Sequence, residues 1–304
     1  MTAGALVVGT GSIGTRHREI LAGLGLDVAS VSRRGAAEFD DIAAAVGSTS
    51  PDYVVVATET GNHHAAVAEL AACGYGGRVL VEKPLFDRVR AVPGHGFAAA
   101  YVGYNMRFHP VLAAMREVLA GEEVLAARAD VGQYFSEWRP GRAVSESYSA
   151  RRADGGGVLR DLSHEIDYLL WLFGPCRQLT AQVLASRTLA METDDVAAIL
   201  MTVERCPVVQ LTLDYHRQPA SRDLVVITGR HTIVGDLLNA RLWVDGTEQA
   251  LGNVPTDRNA TYVAMHRAVL EGAGTLCTFA EGLAVLDVIE AAERASEQRA
   301  WIAP

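Results

Sequence analysis

The sequence predicts an α/β protein, a doubly wound parallel sheet followed by an α+β domain whose sheet is mostly antiparallel. Three observations carry this. Over the first hundred residues, short β-branched apolar runs alternate with segments of helical spacing, the pattern of βαβ units. From about residue 106 the period changes to longer alternating runs, which suit strands with one wet face. At 304 residues and 49% apolar, the chain is long enough for two cores. The predicted division is 1–105 and 106–304, with the C-terminal helix free to pack back on the first domain.

In order, "ALVVGT" (5–10), "DVASVS" (27–32), "DYVVVAT" (52–58), "RVLVEK" (78–83) and "AAYVGY" (99–104) read as buried parallel strands. Helical spacing falls on 13–24, 39–46 and 63–73 between the first four. Sixteen residues separate Pro84 from Tyr101, too few for a strand–helix–strand crossover, and Pro93, Gly94 and Gly96 there predict an abbreviated loop. A helix over 111–120 precedes alternating runs at 124–135, 196–204, 208–216 and 223–229, and residues 281–298 form an amphipathic helix.

The net charge of −9 argues against a nucleic-acid groove or an anionic membrane surface. Four dispersed cysteines without a CxxC pair fit a reducing compartment and no zinc ribbon. With no basic leader and no apolar run of spanning length, the expectation is a soluble cytoplasmic protein.

"VVGTGSIGTRH" (7–17) sets Gly9, Gly11 and Gly14 in GxGxxG spacing between the first strand and first helix. Gly9 permits the turn, Gly11 admits a pyrophosphate, Gly14 allows close helix–strand packing, and the helix N-terminus offers N–H groups; Ser12 and Ile13 complete the loop. The end of the second strand selects the dinucleotide. An NAD site wants a carboxylate there, whereas "SVSRRG" offers Ser32, Arg33 and Arg34, which suit a 2′-phosphate, so NADP(H) is favoured over NAD(H). The competing reading is a solvated arginine pair.

"LVEKPLF" (80–86) leaves Glu82 and Lys83 at a strand end, on the edge that carries the phosphate loop. "ATETGNHH" should bring Thr58 and His63 to that same edge, above the cofactor. In "ADGGGVLRDLSHEIDYLLWLFG" (153–174) a glycine triplet leads into a helix beginning near Asp161. Asp161, His164, Glu165 and Tyr168 share one polar stripe, with Leu162, Ile166, Leu169, Leu170 and Phe173 on the buried side. Asp161 can then orient His164 as its i,i+3 neighbour; the bland alternative is a capping Asp and a surface His. "SHEID" lacks the second histidine of HExxH, having Tyr168 in its place, so no metal is expected.

Together with "YVGYNMRFHP" (101–110), these motifs resemble the glucose–fructose oxidoreductase / inositol dehydrogenase / MocA-like (Gfo/Idh/MocA) family from Leu6 to about Ser296. The resemblance implies a Rossmann domain, then an α/β domain with a large open sheet through which subunits pair as homodimers or homotetramers. It also implies hydride exchange between NAD(P) and a sugar, cyclitol or related carbon. Lys83 and His164 would be the acid/base groups, supported by Asp161, with Asn105 and Arg107 at the substrate. The sequence departs from the family pattern in its Asp161-to-His164 gap and in "TET" after the third strand. The leading expectation is an NADP-dependent alcohol dehydrogenase or ketone reductase. The alternatives are C=N or C=C reduction and a non-catalytic NADP(H)-binding subunit.

Segment 133–157 gathers Arg139, Arg142, Arg151 and Arg152 among Tyr134, Trp138 and Tyr148. These suit an anionic substrate such as a nucleotide-linked or acidic sugar, with guanidiniums on the acid and aromatics on the ring. The alternative pairs the arginines with Glu137, Glu146 and Asp154 or uses them between subunits.

Overall fold

The computed structural model describes residues 4–138, 144–252, 257–272 and 274–304. The apolar runs of the first hundred residues form parallel strands β1 (Gly4–Val8), β2 (Asp27–Val31), β3 (Tyr53–Val56), β4 (Arg78–Val81) and β5 (Ala99–Val102). Every β3 side chain is buried, as expected of a central strand covered on both faces. Helices α1 (Ser12–Gly23), α2 (Ile42–Thr49) and α3 (His63–Ala72) are the crossovers. Asp41 caps α2 by accepting from the Ala44 N–H. Residues 82–98 join β4 to β5 without a helix or strand, as the short spacing predicts.

After α4 (Pro110–Val118) come β6 (Val124–Gly132), the short helices α5 (Phe135–Trp138) and α6 (Val158–Asp161), and α7 (His164–Phe173). Strands β7 (Cys176–Leu184), β8 (Val196–Val203), β9 (Cys206–Asp214), β10 (Ser221–Thr228), β11 (Thr232–Asp236), β12 (Arg241–Val244) and β13 (Thr247–Gln249) follow. They form an eight-stranded sheet in the order β13-β12-β11-β10-β6-β9-β8-β7. It is antiparallel except where β6 and β9 run parallel. The alternation seen in sequence becomes one buried face, including Ala129, Ile199, Leu211 and Val226, and one partly exposed face.

The chain then forms α8 (Ala260–Glu271), β14 (Cys277–Thr278) and α9 (Phe279–Gln298). Strand β14 adds antiparallel to β5, giving the six-stranded order β14-β5-β4-β3-β1-β2. Two compact units result: Met1–Phe108 with Thr256–Leu283, and His109–Pro255 with Ala284–Pro304. The sequence expectation of one break at 105/106 therefore differs from the fold. Met265, Ala268, Val269 and Leu276 bury their side chains with Ala5, Val55 and Leu80, so the segment carrying α8 and β14 belongs to the first core. Among the described residues, no helix is long and apolar enough to cross a membrane.

Candidate active site

The register aligns Val8 with Val31 and Val56, and Val56 with Val81. Gly9, Ser32, Ala57 and Glu82 therefore leave the sheet along one edge, where doubly wound folds bind ligands. Gly9 has φ +111°, and a Cβ there would stand 2.5 Å from the Ala57 carbonyl oxygen. A Cβ on Gly14 would collide with the Gly9 carbonyl, whereas one on Gly11 would point into open space. Gly11 also starts α1 without a side-chain cap, and Ile13 packs against the core beneath. The loop borders a cleft of about 280 Å³, lined by Gly9, Thr10, Gly14, Thr15, Arg18 and Ser30 among others. This cradle fits a dinucleotide pyrophosphate.

At the end of β2, the Ser32 hydroxyl accepts from the Arg34 and Gly35 N–H groups at 3.3 and 3.1 Å and shapes the turn. The Arg33 guanidinium meets Glu69 at 2.7 Å and that of Arg34 meets Glu59 at 3.1 Å, both on the surface. Exposed pairs of this kind contribute little, so a phosphate dianion can displace either carboxylate.

His63 departs from expectation. Its ring is 1% exposed, with Nδ1 3.0 Å from the Pro84 carbonyl oxygen and Nε2 3.1 Å from that of Thr58. Burial lowers its pKa against the opposing pull of these carbonyls. The side chain ties the ends of β3 and β4 together rather than facing a cofactor. Thr58 lies half-buried beside it.

Lys83, half-buried, is the single lysine among the 27 lysines and arginines of the sequence. Glu82 beside it is buried, and its Oε2 accepts from the Lys83 backbone N–H at 3.2 Å. Burial pushes the Glu82 carboxyl up, but the hydrogen bond from His17 and the charges of His17, Lys83 and His63 outweigh it and hold the pKa below the usual carboxylate range. Asn105 and Arg107 are buried and held by neighbours within the first unit. Asn105 donates to the Thr261 hydroxyl at 2.7 Å, and the buried Arg107 meets Glu281 at 2.8 Å and the Leu276 carbonyl at 3.4 Å.

In the second unit, the helix expected from Asp161 is broken. Helix α6 ends at Asp161 and α7 starts at His164, so the two do not lie one turn apart on a continuous helix. The expected polar stripe is also buried, because Glu165 and Tyr168 are 0% exposed and Asp161 3%. Leu170, placed on the buried side by spacing, is half-buried. Glu165 tolerates the interior by pairing with Arg222 at 2.7 Å. His164 is 9% exposed. Asp161 accepts from the Tyr215 hydroxyl at 2.8 Å, and burial followed by the charge of Asp161 raises the tyrosine pKa, with Tyr148 contributing. Of the basic segment, Arg151 pairs with Asp154 as the bland reading allows, Arg152 is exposed, and Arg139 and Arg142 lie outside the described residues.

Sequence reasoning missed His17, Tyr53 and His266, which join Glu82 in a buried chain of hydrogen bonds. Helical spacing of Tyr262, Met265, His266 and Val269 was the available signal, since it places a histidine on an apolar face.

Residues 4–100 match the model of an oxidoreductase family with an NAD-binding Rossmann fold, and residues 113–251 match the GFO/IDH/MocA C-terminal domain. The chain is 26% identical over 302 residues to scyllo-inositol 2-dehydrogenase (NADP(+)) IolW of Bacillus subtilis, covering 83% of this chain and 78% of that protein. The fold is shared with levoglucosan dehydrogenase in complex with NADH and levoglucosan, at a TM-score of 0.82, 16% identity and coverage of 100% and 99%. It is also shared with the WlbA dehydrogenase of Bordetella pertussis in complex with NADH and UDP-GlcNAcA, at a TM-score of 0.77, 18% identity and the same coverage.

Proposed function

The chain belongs to the GFO/IDH/MocA oxidoreductase family, and from that premise we propose that it is an NADP(H)-dependent dehydrogenase or ketone reductase of a sugar, nucleotide sugar or cyclitol. The observation that carries the reading is the placement of Lys83. This sequence uses arginine at every other site where a permanent cation suffices. A guanidinium stays protonated at all working pH values, whereas an ammonium can give up and recover its proton. The one lysine stands at the cofactor edge of the sheet, beside the phosphate loop.

When bound, the nicotinamide supplies or accepts the hydride. The α1 N-terminus and Gly11 hold the pyrophosphate, and Ser32 with Arg33 and Arg34 takes the 2′-phosphate. Lys83 moves the proton at the substrate oxygen, a role that contributes roughly 10²–10⁴-fold to rate. His164 has the second acid–base role that the family resemblance gives it, with Asp161 in support. The similarity to an NADP(+)-dependent inositol dehydrogenase supports both the cofactor and the polyol class. Subunits pair through the partly exposed face of the eight-stranded sheet, where register places Leu184, Leu200, Val208 and Ile227 on one side.

Turnover of cyclitols, free sugars and nucleotide sugars with NADP⁺ and NAD⁺ tests the reading, alongside cofactor titration. NADPH should bind at least tenfold more tightly than NADH, about 1.4 kcal/mol, and Arg33→Asp should reverse the order. No turnover across the panel in either direction, or equal affinities, contradicts the respective half of the proposal.

A further inference from the structure

Four buried side chains in the first unit form one hydrogen-bonded chain that ends at Glu82. His17 on α1 has Nε2 2.8 Å from Glu82 Oε1 and Nδ1 2.8 Å from Nε2 of His266 on α8. The Tyr53 hydroxyl on β3 is 2.9 Å from His266 Nδ1. Relative exposure is 0% for Tyr53, His17 and His266 and 6% for Glu82. The rings are locked edge to face, His17 with His266 at 5.0 Å and His266 with Tyr53 at 5.7 Å.

Proton bookkeeping gives this chain one neutral arrangement. The ionised Glu82 can only accept, so His17 donates from Nε2 and, as a neutral ring, accepts at Nδ1. His266 must then donate from Nε2 and accept at Nδ1, which the Tyr53 O–H satisfies. Burial keeps His266 well below the usual histidine range, and burial followed by the Glu82 charge keeps Tyr53 protonated, as this arrangement requires. Gly103 completes the site, because a Cβ there would stand 2.9 Å from Glu82 Oε1.

We propose that Tyr53, His266 and His17 are positioning residues that hold Glu82 ionised and fixed, and that Glu82 in turn sets the charge state of Lys83. This rests on the reading of Lys83 as the acid–base group. A buried carboxylate stripped of its donor is costly and takes up a proton instead. Loss of His17 would thus remove a negative charge beside Lys83 and disfavour its ammonium. The other ionisable groups around Glu82 are His63 of α3, which lowers its pKa, and Tyr53. On the far side of His17 stand Tyr262, edge-on at 5.7 Å, and Arg16, 5.3 Å above the Tyr262 ring.

The single lysine makes the claim directly measurable. Reductive ¹³C-methylation of the full chain labels Lys83 and the N-terminal amine, and the signal absent from Lys83→Arg identifies the former. Its NMR titration midpoint should fall by about one pH unit in Glu82→Gln and in His17→Phe, in proportion to the lost charge. His266→Phe, which does not touch Glu82, should move it the same way by less. The limb of the kcat/KM pH profile should shift in parallel. Folded Glu82→Gln and His266→Phe proteins with the wild-type midpoint overturn the proposal, whether or not His17→Phe folds. Midpoints that move as stated while Lys83→Arg turns over normally support the electrostatic link and refute only the catalytic role of Lys83.

Discussion

His63, His109 and His266 show how far burial reaches into single side chains. Each has its pKa lowered mainly by desolvation, that of His109 to about 4. Unfolded histidine titrates near pH 6.5, so between that value and the lowered one the unfolded chain binds protons that the folded chain refuses. These groups therefore contribute stability that is fully present above about pH 6.5 and lost as pH falls toward the folded values. The urea midpoint should be level above neutrality and decline from about pH 6.5, before carboxylates titrate. A midpoint flat down to about pH 5 would remove this account. At this scale the sequence was legible where backbone geometry leaves no choice, as at Gly9 and Gly14. It did not foresee the burial of His63 against the Pro84 and Thr58 carbonyls, because residue type alone does not say whether a polar side chain faces a ligand or a neighbouring carbonyl. It could not show that His17 and His266 meet, since they are brought together from 249 positions apart.

The elements follow from two hydrophobic periods. Continuous β-branched runs became the parallel sheet and alternating runs the antiparallel one, and in both cases burial fixes the register. The continuous helix expected from Asp161 through Phe173 failed because the periodicity of its apolar residues survives a turn at Leu162 and Ser163. Strands β11 to β13 are short and went unread, as few residues cannot display a period. The eight-stranded sheet also leaves Leu184, Leu200, Val208 and Ile227 between 37% and 47% exposed on one face. An apolar face of this kind is characteristic of an interface. If subunits pair through it as proposed, Leu200→Arg with Val208→Arg should yield a folded monomer by analytical ultracentrifugation. An unchanged assembly would place the subunit contact elsewhere.

For the whole molecule, family and fold class were legible because the phosphate loop, the Glu-Lys-Pro triplet and the change of period lie locally in sequence. The division into units was not, because the segment carrying α8 and β14 returns to the first core after the entire eight-stranded sheet has formed. That return also delivers His266 to the chain behind Glu82. The central claim is that this oxidoreductase moves its substrate proton through Lys83, in a sequence that otherwise uses arginine for its basic side chains. Its most direct test is kcat of Lys83→Arg on the best substrate of the panel, measured beside NADPH affinity. Arginine keeps the positive charge and much of the shape but cannot release a proton, so kcat should fall by roughly 10²-fold or more while NADPH affinity is retained. A Lys83→Arg enzyme with wild-type kcat would contradict the account.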